Sequence, residues 1–326
     1  MNILVTGGAG YIGSHVVRIL IREGHNVVIF DNLKLGHKGA VNEKALFVQG
    51  DLRRQEEINC VFKENKIDSV MHFASDSIIP ESVKNPGKYF GNIPNWLNLL
   101  DSMKENNIKS IIFSSSAAVY GTPKRVPIKE SDPVEPVNPY GEIKVIFEKI
   151  LKWYDFAYGI KYTSMRYFNA AGADPSGDIG EDHKPETHLI PIVLRAMLNN
   201  KSIRVFGTDY KTKDGTCIRD YVHVNDIAEA HILALSHLHK TGKSNIYNIG
   251  CKEGYSVREV IKTCEEVTGR KIKVIEAGRR AGDPAILVAD SDKIRKELEW
   301  NPKHDLKDII KTAWAWHRNH PEGYGK

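Results

Sequence analysis

The sequence predicts an α/β fold, in which a doubly wound parallel (Rossmann) sheet is followed by a smaller C-terminal α+β substrate domain. Short apolar runs alternate with helical segments throughout the first half, as they do where crossover helices join parallel strands. The first run leads directly into glycines spaced G-x-x-G-x-x-G, and the second run ends in an acidic residue. Both features are typical of a dinucleotide site at the carboxyl ends of the strands.

The length of the chain predicts two domains. Its 326 residues, 41% of them hydrophobic, allow one large core and a smaller one. We expect residues 1–170 to form the dinucleotide-binding domain and to carry the catalytic residues. Residues 171–326 are expected to bind mainly the substrate, with the chain crossing back to the sheet around 215–250.

Charge and cysteine content exclude several other classes of protein. The net charge is +5, and the basic residues are scattered among 41 acidic ones without a block that suits nucleic acid or a membrane surface. The four cysteines lie far apart, which argues against a disulfide framework and favours a reducing cytoplasm. Met1 leads directly into the first strand, so we expect neither an export signal nor a membrane span.

The elements of the first half follow from the positions of the apolar runs. Strands are predicted over Asn2–Thr6, Asn26–Phe30, Ala45–Val48, Ser69–Phe73 and Ser110–Ser114. The helices between them are predicted to end near Glu23 and to cover Gln55–Asn65 and Pro86–Asn106. Pro94 lies inside the last helix, where it costs about 3 kcal/mol if the helix is unbroken. We therefore expect a break near Asn92.

The glycine-rich loop after the first strand has the composition of a phosphate cradle. Gly7 permits a tight turn, Gly10 lets the backbone approach a pyrophosphate, and Gly13 lets the helix pack closely on the strand. The N-terminus of the helix that follows favours the negative charge of the phosphates.

The end of the second strand indicates which dinucleotide is bound. Asp31 stands where an acidic residue bonds the adenine ribose, and its charge repels a 2′-phosphate, so NAD is favoured over NADP. An acid at this point also occurs as a simple turn residue. Later strands end in Asp51, Phe73-Ala74 and Ser114-Ser115-Ser116, which we expect at the same edge of the sheet.

Tyr140 and Lys144 form a candidate catalytic pair. Four residues apart on a helix, they share one face, so the ammonium favours the phenolate and makes Tyr140 a candidate base near neutral pH. The same spacing also occurs on solvated helix faces, so the interpretation depends on the dinucleotide site nearby. Ser116 is either a turn residue or a hydroxyl that bonds a reacting oxygen.

The helix that carries this pair, from Tyr140 to about Tyr158, is apolar nearly all round. Because a surface helix has a single apolar stripe, the second side of this one is expected to be covered by a subdomain or another subunit. We predict a homodimer built partly on this helix.

Taken together, these residues resemble the extended short-chain dehydrogenase/reductase family, and the resemblance covers essentially the whole chain. Segments of the second half are similar to those of the members that invert C4 of a UDP-hexose: Arg166–Asn169, Thr187–Pro191, Phe206–Tyr210, Asp214–Val224 and Arg279–Asp283. The resemblance implies a reversible inversion of UDP-galactose and UDP-glucose through a 4-keto intermediate, with NAD kept bound.

The resemblance also implies roles for single residues. Tyr140 is the base, Lys144 bonds the nicotinamide ribose, and Ser116 faces the sugar. Besides the glycine loop, NAD is contacted by Tyr11, Ile12, Asp31, Asn32, Asp51, Leu52, Phe73, Ala74, Asn92, Ser114 and Phe168. The UDP-sugar is held by Asn169, Leu189, Phe206, Arg219, Tyr221, Arg280 and Asp283. The two arginines also suit a diphosphate on chemical grounds, since they are forked donors.

Two other functions were weighed against this one. A nucleotide-sugar 4,6-dehydratase of the same family usually carries an Asp-Glu pair where this chain has Ala117-Ala118, so elimination lacks its acid and base. A dinucleotide-sensing regulator that has lost chemistry is expected to lack the Tyr–Lys pair or the nucleotide-binding arginines, and this chain has both.

The chain departs from the family pattern at two places. Ile143 stands where Ser or Thr usually precedes the lysine, and Pro94-Asn95-Trp96 stands where Gly-Thr is more common. In the family that this chain resembles, a position after the Arg279–Asp283 segment helps decide whether an N-acetyl group fits the sugar pocket. The matching residue is Leu287, and our hypothesis is that its intermediate size leaves room for UDP-N-acetylhexosamines as well.

A histidine- and acid-rich stretch raises the question of a metal. The candidate ligands are Glu181, Asp182, His183, Glu186 and His188. The histidines are five residues apart beside a proline, so they do not share a helix face as H-x-x-x-H ligands do. We therefore expect no metal site here.

Overall fold

The computed structural model describes residues 1–280 and 282–325. Ala281, which belongs to the Arg279–Asp283 segment, and Lys326 lie outside the described residues. The described chain groups into two compact units, each built from separate stretches of sequence. Unit 1 comprises Met1–Gly121, Val134–Arg166 and Ala228–Tyr247; unit 2 comprises Thr122–Pro133, Tyr167–Ile227 and the chain from Asn248 onward. This grouping does not test the functional division at residue 170, which stays a prediction.

The strands and helices of the described residues alternate through most of the chain. The strands are β1 (Asn2–Thr6), β2 (Asn26–Asp31), β3 (Leu46–Gln49), β4 (Ser69–His72), β5 (Ser110–Ser114), β6 (Lys161–Tyr167), β7 (Asn169–Ala171), β8 (Ile203–Phe206), β9 (Ile218–Arg219), β10 (Tyr221–His223), β11 (Asn245–Ile249), β12 (Tyr255–Ser256), β13 (Val274–Ala277) and β14 (Ile286–Leu287).

The α-helices are α1 (Tyr11–Arg22), α2 (Gln55–Glu64), α3 (Ile79–Lys84), α4 (Pro86–Phe90), α5 (Asn92–Glu105), α6 (Pro139–Tyr158), α7 (Leu189–Leu198), α8 (Val224–Thr241), α9 (Val257–Thr268), α10 (Asp292–Leu298) and α11 (Leu306–Asn319). Short 3₁₀ helices cover Lys38–Ala40 and Ala117–Tyr120. Across the described residues, none of the helices combines the length and the apolar character needed to cross a membrane.

The main sheet confirms the predicted Rossmann fold. Among the described residues it contains seven strands in the order β3-β2-β1-β4-β5-β6-β11. All the pairings from β3 to β6 are parallel. The order runs outward from β1 in both directions, which is the doubly wound arrangement. Smaller sheets pair β7 with β10, β8 with β13, and β9 with β12 and β14, and they give the C-terminal part its mixed α+β character.

The strand register brings the carboxyl ends of the central strands level with one another. Thr6 of β1 pairs with Phe30 of β2 and with His72 of β4. His72 in turn pairs with Phe113 of β5. The residues that follow these positions therefore emerge at one edge of the sheet; they are Gly7, Asp31, Phe73 and Ser114.

The predicted elements of the first half agree with the observed ones to within one or two residues. The break expected near Asn92 is found at Gly91, where α4 gives way to α5. Pro94 consequently lies in the first turn of α5, where a missing N–H removes no intrahelical hydrogen bond. The broken helix is thus the means by which the chain accommodates the proline.

Trp96 is the largest side chain in the core of unit 1. It is 1% exposed, and its indole Nε1 donates a hydrogen bond of 3.0 Å to the carbonyl oxygen of Ala74. Its ring centroid lies 4.8 Å from that of Phe147 and 5.8 Å from that of Phe113. Truncating a tryptophan in such a position costs about 3–5 kcal/mol of stability. Trp96 therefore links the core directly to the chain that follows β4.

Candidate active site

The loop between β1 and α1 has room for backbone but not for side chains. A Cβ on Gly13 would lie 2.2 Å from the carbonyl oxygen of Gly7, and a Cβ on Gly7 would lie 2.6 Å from the nitrogen of Ala74. Gly7 also has a φ of +74°, in the left-handed region that favours glycine. Gly10 is less constrained, since its Cβ would stay 3.3 Å from the nearest atom. The loop has the geometry of a phosphate cradle at the N-terminus of a helix.

Asp31 fastens the end of β2 to this loop. Its Oδ2 accepts a hydrogen bond of 3.0 Å from the N–H of Ala9, and its Oδ1 accepts one of 2.8 Å from the N–H of Leu33. Burial raises the pKa of this carboxyl above its usual value. Each oxygen keeps a further lone pair that a ribose hydroxyl can use. The contact with Ala9 was not visible in the sequence, and the ribose contact stays a prediction.

Asp51 and Asn32 join the ends of two neighbouring strands. Asn32 donates from Nδ2 to Oδ2 of Asp51 over 2.9 Å. Arg53 donates to the same carboxylate from Nε over 3.0 Å and from Nη2 over 2.7 Å. These hydrogen bonds from Arg53 hold the pKa of Asp51 well below its usual range. Asp51 is therefore ionised at neutral pH, and Arg53 is a contact that the sequence analysis missed.

Phe73 and Asn92 are held by hydrogen bonds of different kinds, Phe73 through its backbone and Asn92 through its side chain. The N–H of Phe73 donates to the carbonyl of Thr6 over 2.8 Å. The Asn92 amide donates to the carbonyl of Tyr89 over 3.0 Å and to Oδ2 of Asp76 over 3.2 Å. The backbone of Phe73 and the amide group of Asn92 are therefore fixed.

Other predicted cofactor residues have less specific surroundings. Tyr11 and Ile12 are half-buried in the first turn of α1. Leu52 packs into the core of unit 1, and its carbonyl accepts a hydrogen bond of 2.8 Å from the amide of Asn98. Their predicted contacts with a cofactor stay predictions.

Tyr140 and Ser116 meet inside unit 1. The start of α6 is fixed by Asn138, whose side-chain oxygen accepts a hydrogen bond of 2.9 Å from the N–H of Gly141. Tyr140 follows in the first turn and is 8% exposed. The nearby hydroxyl of Ser116 counteracts part of the rise in the pKa of this phenol, and it accepts a hydrogen bond from the N–H of Ala118 over 3.1 Å. Their joint role toward a substrate stays a prediction.

Lys144 lies one helical turn further along α6 and is buried. Its Nζ donates a hydrogen bond of 2.9 Å to the carbonyl oxygen of Ser114, the last residue of β5. The same Nζ lies 5.1 Å from the ring centroid of Phe113, 5.3 Å from that of Trp96 and 5.5 Å from that of Tyr140. Burial lowers the pKa of this ammonium to about 7, against the influence of Glu148.

The pKa of Tyr140 departs from the expectation in direction. The Tyr–Lys spacing predicted a phenol whose pKa is lowered toward neutrality, whereas burial raises this pKa and the nearby hydroxyl of Ser116 offsets only part of that rise. The reason is that burial removes hydration from the phenolate, while the charge on Lys144 is itself reduced near neutral pH. In the protein alone, burial changes the pKa values of Tyr140 and Lys144 more than the attraction between the two groups does.

A buried ion pair behind Lys144 was missed in the sequence analysis. The guanidinium of Arg166 donates to Glu148 on α6, from Nε over 2.9 Å and also from Nη2. Ser115 donates to the same carboxylate over 2.6 Å, and Arg166 reaches the hydroxyl of Tyr120 over 2.8 Å. Glu148 lies four residues after Lys144, and this spacing on one helix face was the signal that could have found it.

Ile143 and Trp96 are the buried residues of the two departures from the family pattern, whereas Pro94 is exposed. Ile143 is fully buried in the core of unit 1, so a serine there would place a hydroxyl among apolar side chains. Trp96 presents its ring to the ammonium of Lys144, as described above. Ile143 and Trp96 therefore belong to the packing around the pair, and Nζ of Lys144 lies 5.5 Å from the ring centroid of Tyr140.

The predicted nucleotide-binding residues of unit 2 form one cluster. Nη2 of Arg219 donates to Oδ1 of Asp283 over 2.5 Å. The hydroxyl of Tyr210 donates to the carbonyl of Asp283 over 3.4 Å. The guanidinium of Arg280 lies 4.0 Å from the ring centroid of Phe206. Two arginines, an acid and two aromatic rings are thus assembled from three separate segments.

The remaining predicted residues of unit 2 are arranged on β7, β10 and α7. The Asn169 amide donates to the carbonyl of Asp220 over 2.9 Å, and Asn169 pairs in register with Tyr221. Phe168, the residue before Asn169, is buried, and its N–H donates a hydrogen bond to the carbonyl of Ile249. Leu189, at the start of α7, packs on the core of unit 2 and makes no contact that marks it as a binding residue among the described side chains.

Lys144 is buried one helical turn after Tyr140, and it bonds the end of β5, a strand of the parallel sheet. This arrangement places the chain among the α/β proteins that use a dinucleotide in catalysis. Residues 3–250 match the NAD dependent epimerase/dehydratase family. This match spans more than half of the chain, and the chain belongs to that family.

Individual relatives are similar along their whole length. The chain is 52% identical over 327 residues to the UDP-glucose 4-epimerase of Lactobacillus helveticus, and the alignment covers 99% of each chain. The crystal structure of UDP-glucose 4-epimerase from Bifidobacterium longum in complex with NAD+ and UDP aligns with a TM-score of 0.95 at 39% identity, covering 99% of this chain and 100% of that one. The UDP-Glc/GlcNAc 4-epimerase from Campylobacter jejuni aligns with a TM-score of 0.86 at 39% identity, covering 98% and 99%.

The glycine loop gives a direct test of the cofactor site. In Gly13→Ala the new Cβ collides with the carbonyl of Gly7, so we expect NAD to bind about tenfold more weakly or worse, since overpacking of this kind costs about 1–3 kcal/mol. Gly87→Ala is the matched control, because a Cβ there meets no atom within 4 Å. NAD bound per chain after purification is the measurement. Full NAD content in Gly13→Ala would contradict the predicted cradle.

Proposed function

We propose that this protein interconverts UDP-galactose and UDP-glucose by inverting C4 of the sugar, the UDP-glucose 4-epimerase reaction, with NAD as a bound cofactor. The observation that carries the proposal is the burial of Ser116, Tyr140 and Lys144, with Nζ of Lys144 5.5 Å from the ring centroid of Tyr140 and hydrogen-bonded to the end of β5. Full-length similarity to the UDP-glucose 4-epimerase of Lactobacillus helveticus supports it.

The residues present fit NAD. Gly7 and Gly13 leave room for backbone only, so a pyrophosphate can approach the N-terminus of α1. Asp31 lies at the end of β2, where its carboxylate suits the ribose of NAD and disfavours the 2′-phosphate of NADP. When bound, NAD accepts the hydride from C4 and returns it to the other face.

Tyr140 handles the proton of the 4-hydroxyl. As phenolate it takes this proton while C4 becomes a carbonyl, and it returns the proton when C4 is reduced again. Ser116 is buried near the phenol, and its assigned role is to hold the same sugar oxygen. Burial alone raises the pKa of Tyr140, so the base depends on positive charge close to the phenol, from Lys144 and from an oxidised nicotinamide.

Most of the binding energy has to come from the UDP part of the substrate and little of it from the reacting sugar. The 4-keto sugar has to turn over between the two hydride transfers, so it needs a loosely held position. Arg219 and Arg280 are suited to the diphosphate, and Phe206 offers an apolar face nearby. Binding remote from C4 retains the intermediate without fixing the sugar ring.

The two rival functions have less support in the arrangement of the site. Ala117 and Ala118 form the 3₁₀ turn after Ser116, so this turn offers no acid or base for a 4,6-dehydration. A regulator without chemistry has no need of a buried tyrosine, serine and lysine in this part of unit 1. UDP-galactose turnover without added NAD separates these possibilities from the epimerase, since activity then requires retained cofactor.

Replacement of the candidate base tests the mechanism. Tyr140→Phe keeps the ring and removes the hydroxyl, so kcat for UDP-galactose is expected to fall about 10²–10⁴-fold, the usual contribution of general acid–base catalysis. Bound NAD should be unchanged. Tyr158→Phe, a half-exposed position at the end of the same helix, is the control and should retain activity. Equal kcat in Tyr140→Phe and the native enzyme would exclude this role.

We further propose that UDP-N-acetylhexosamines are substrates. Leu287 of β14 pairs in register with Arg219 of β9, so it neighbours a residue assigned to the nucleotide. Its side chain is smaller than an aromatic one, so it excludes less volume at this position. The likeness to the UDP-Glc/GlcNAc 4-epimerase of Campylobacter jejuni supports the breadth.

A bulkier side chain at this position should narrow the substrate range. In Leu287→Tyr, kcat/KM for UDP-N-acetylglucosamine is expected to fall about tenfold or more relative to that for UDP-glucose, because steric exclusion in a pocket is worth about 1–3 kcal/mol. UDP-glucose turnover by the same variant is the internal control. A native enzyme that leaves UDP-N-acetylglucosamine unchanged would remove the proposal.

We also propose that the protein is a homodimer built partly on α6. Trp153 and Phe156 on this helix are 67% and 84% exposed, and their ring centroids lie 6.1 Å apart. Adjacent exposed aromatic rings of this kind are typical of an interaction surface.

The four cysteines are free thiols, which fits the reducing cytoplasm in which we place the reaction.

Sedimentation velocity at micromolar concentration tests the dimer. The native protein should sediment as a dimer, and Phe156→Glu should sediment as a monomer because it places a charge in the apolar contact. Ile275→Glu introduces the same charge at another exposed apolar position and should remain dimeric. A monomeric native protein would refute the proposal.

A further inference from the structure

The loop that precedes α7 contains four side chains of the types that ligate metals, close to one another. One ligand atom each from Glu181, His183, Glu186 and His188 lies within 4.8 Å of all the others. The sequence argument against a metal considered only ligands on a helix face. These residues instead belong to an irregular segment, since α7 begins at Leu189, and the path of that segment brings the two histidines together.

The distances among these atoms are close to those around a small cation. Nδ1 of His183 lies 3.1 Å from Oε1 of Glu181 and 3.9 Å from Oε1 of Glu186. Nδ1 of His188 contacts the same oxygen of Glu181. Ligands of a tetrahedral zinc ion, at bonds of about 2.0–2.2 Å, lie about 3.3 Å from one another. Small side-chain rotations are enough to reach that geometry.

The carboxylate of Glu186 gives a second, independent observation that points to a bound cation. Its side chain is 7% exposed, and its Oε1 accepts hydrogen bonds from the N–H groups of Thr187 and His188 over 2.8 and 2.9 Å. Its other oxygen, Oε2, is buried and has no hydrogen-bond partner among the described residues. A buried carboxylate oxygen without a partner is costly unless a cation neutralises it.

We propose that this loop binds one zinc ion through Nδ1 of His183 and His188 and the carboxylates of Glu181 and Glu186. Two imidazoles with two carboxylates are a donor set that suits zinc, whereas calcium and magnesium prefer oxygen ligands alone. Two carboxylates also balance the charge of the ion. Four protein ligands make the site structural, without an open position for catalysis.

The surroundings of the loop suit a structural ion. The carbonyl of Glu181 accepts a hydrogen bond of 3.1 Å from the indole of Trp316 on α11. Asp182 is engaged elsewhere, with Arg195 of α7 at 3.0 Å, and so is not a ligand. The side chain of His188 is 51% exposed, which gives an ion access from solvent. Zinc would therefore tie the segment before α7 to the last helix.

Metal analysis of the full-length native enzyme, purified without a metal-affinity tag, is the first test. We expect one zinc per chain by mass spectrometry. After treatment with a chelator, ZnCl2 should bind saturably in calorimetry and raise the melting temperature. A zinc content near zero together with no saturable binding at micromolar ZnCl2 would overturn the proposal, and would leave the proposed epimerase reaction unaffected.

Variants locate the ion. Glu186→Gln keeps the size of the side chain, and we expect it to weaken zinc binding by about tenfold or more; the pair of changes His183→Ala and His188→Ala should abolish it. His237→Ala on α8 removes a histidine outside the loop and is the matched control. The loop is excluded as the site if these variants bind zinc as the native enzyme does, or if His237→Ala loses it equally.

Discussion

The interior position of Lys144 is the constraint on which the candidate site depends. An amine that loses its hydration must recover interactions inside the protein. Lys144 does so through the carbonyl of Ser114 and through the faces of Phe113 and Trp96. These partners come from β5 and α5, so the sheet and the two helices around it must be packed before the lysine can be accommodated. The hydrophobic core and the site are therefore parts of one arrangement.

A second set of buried charges sets the rotation of α6. Glu148 is held between Ser115 and Arg166, and Arg166 also reaches Tyr120. Breaking such a pair by removing one partner costs about 3–5 kcal/mol, because the remaining charge stays buried. The pair therefore selects a single orientation of the helix about its axis. In that orientation Nζ of Lys144 lies 5.5 Å from the ring centroid of Tyr140.

The sequence predicted what depends on neighbouring residues and missed what depends on distant ones. The alternating strands, the glycine spacing and the break before Pro94 are local, and the structure has all of them. The hydrogen bond of Trp96 to Ala74 and the pair of Glu148 with Arg166 join residues far apart in sequence. Spacing along a helix also cannot reveal burial, which raises the pKa of Tyr140 where the Tyr–Lys pattern predicted a fall.

The hydrogen bond between Asp31 and the N–H of Ala9 has a consequence for how long a ligand stays bound. Because the carboxylate already holds the glycine loop, the loop has lost its conformational freedom before any dinucleotide arrives. Preorganisation of this kind lowers the entropy that binding must remove and so slows dissociation. An enzyme that regenerates its cofactor in every cycle benefits from such long residence. If the reduced dinucleotide left early, the 4-keto sugar would remain without a hydride donor.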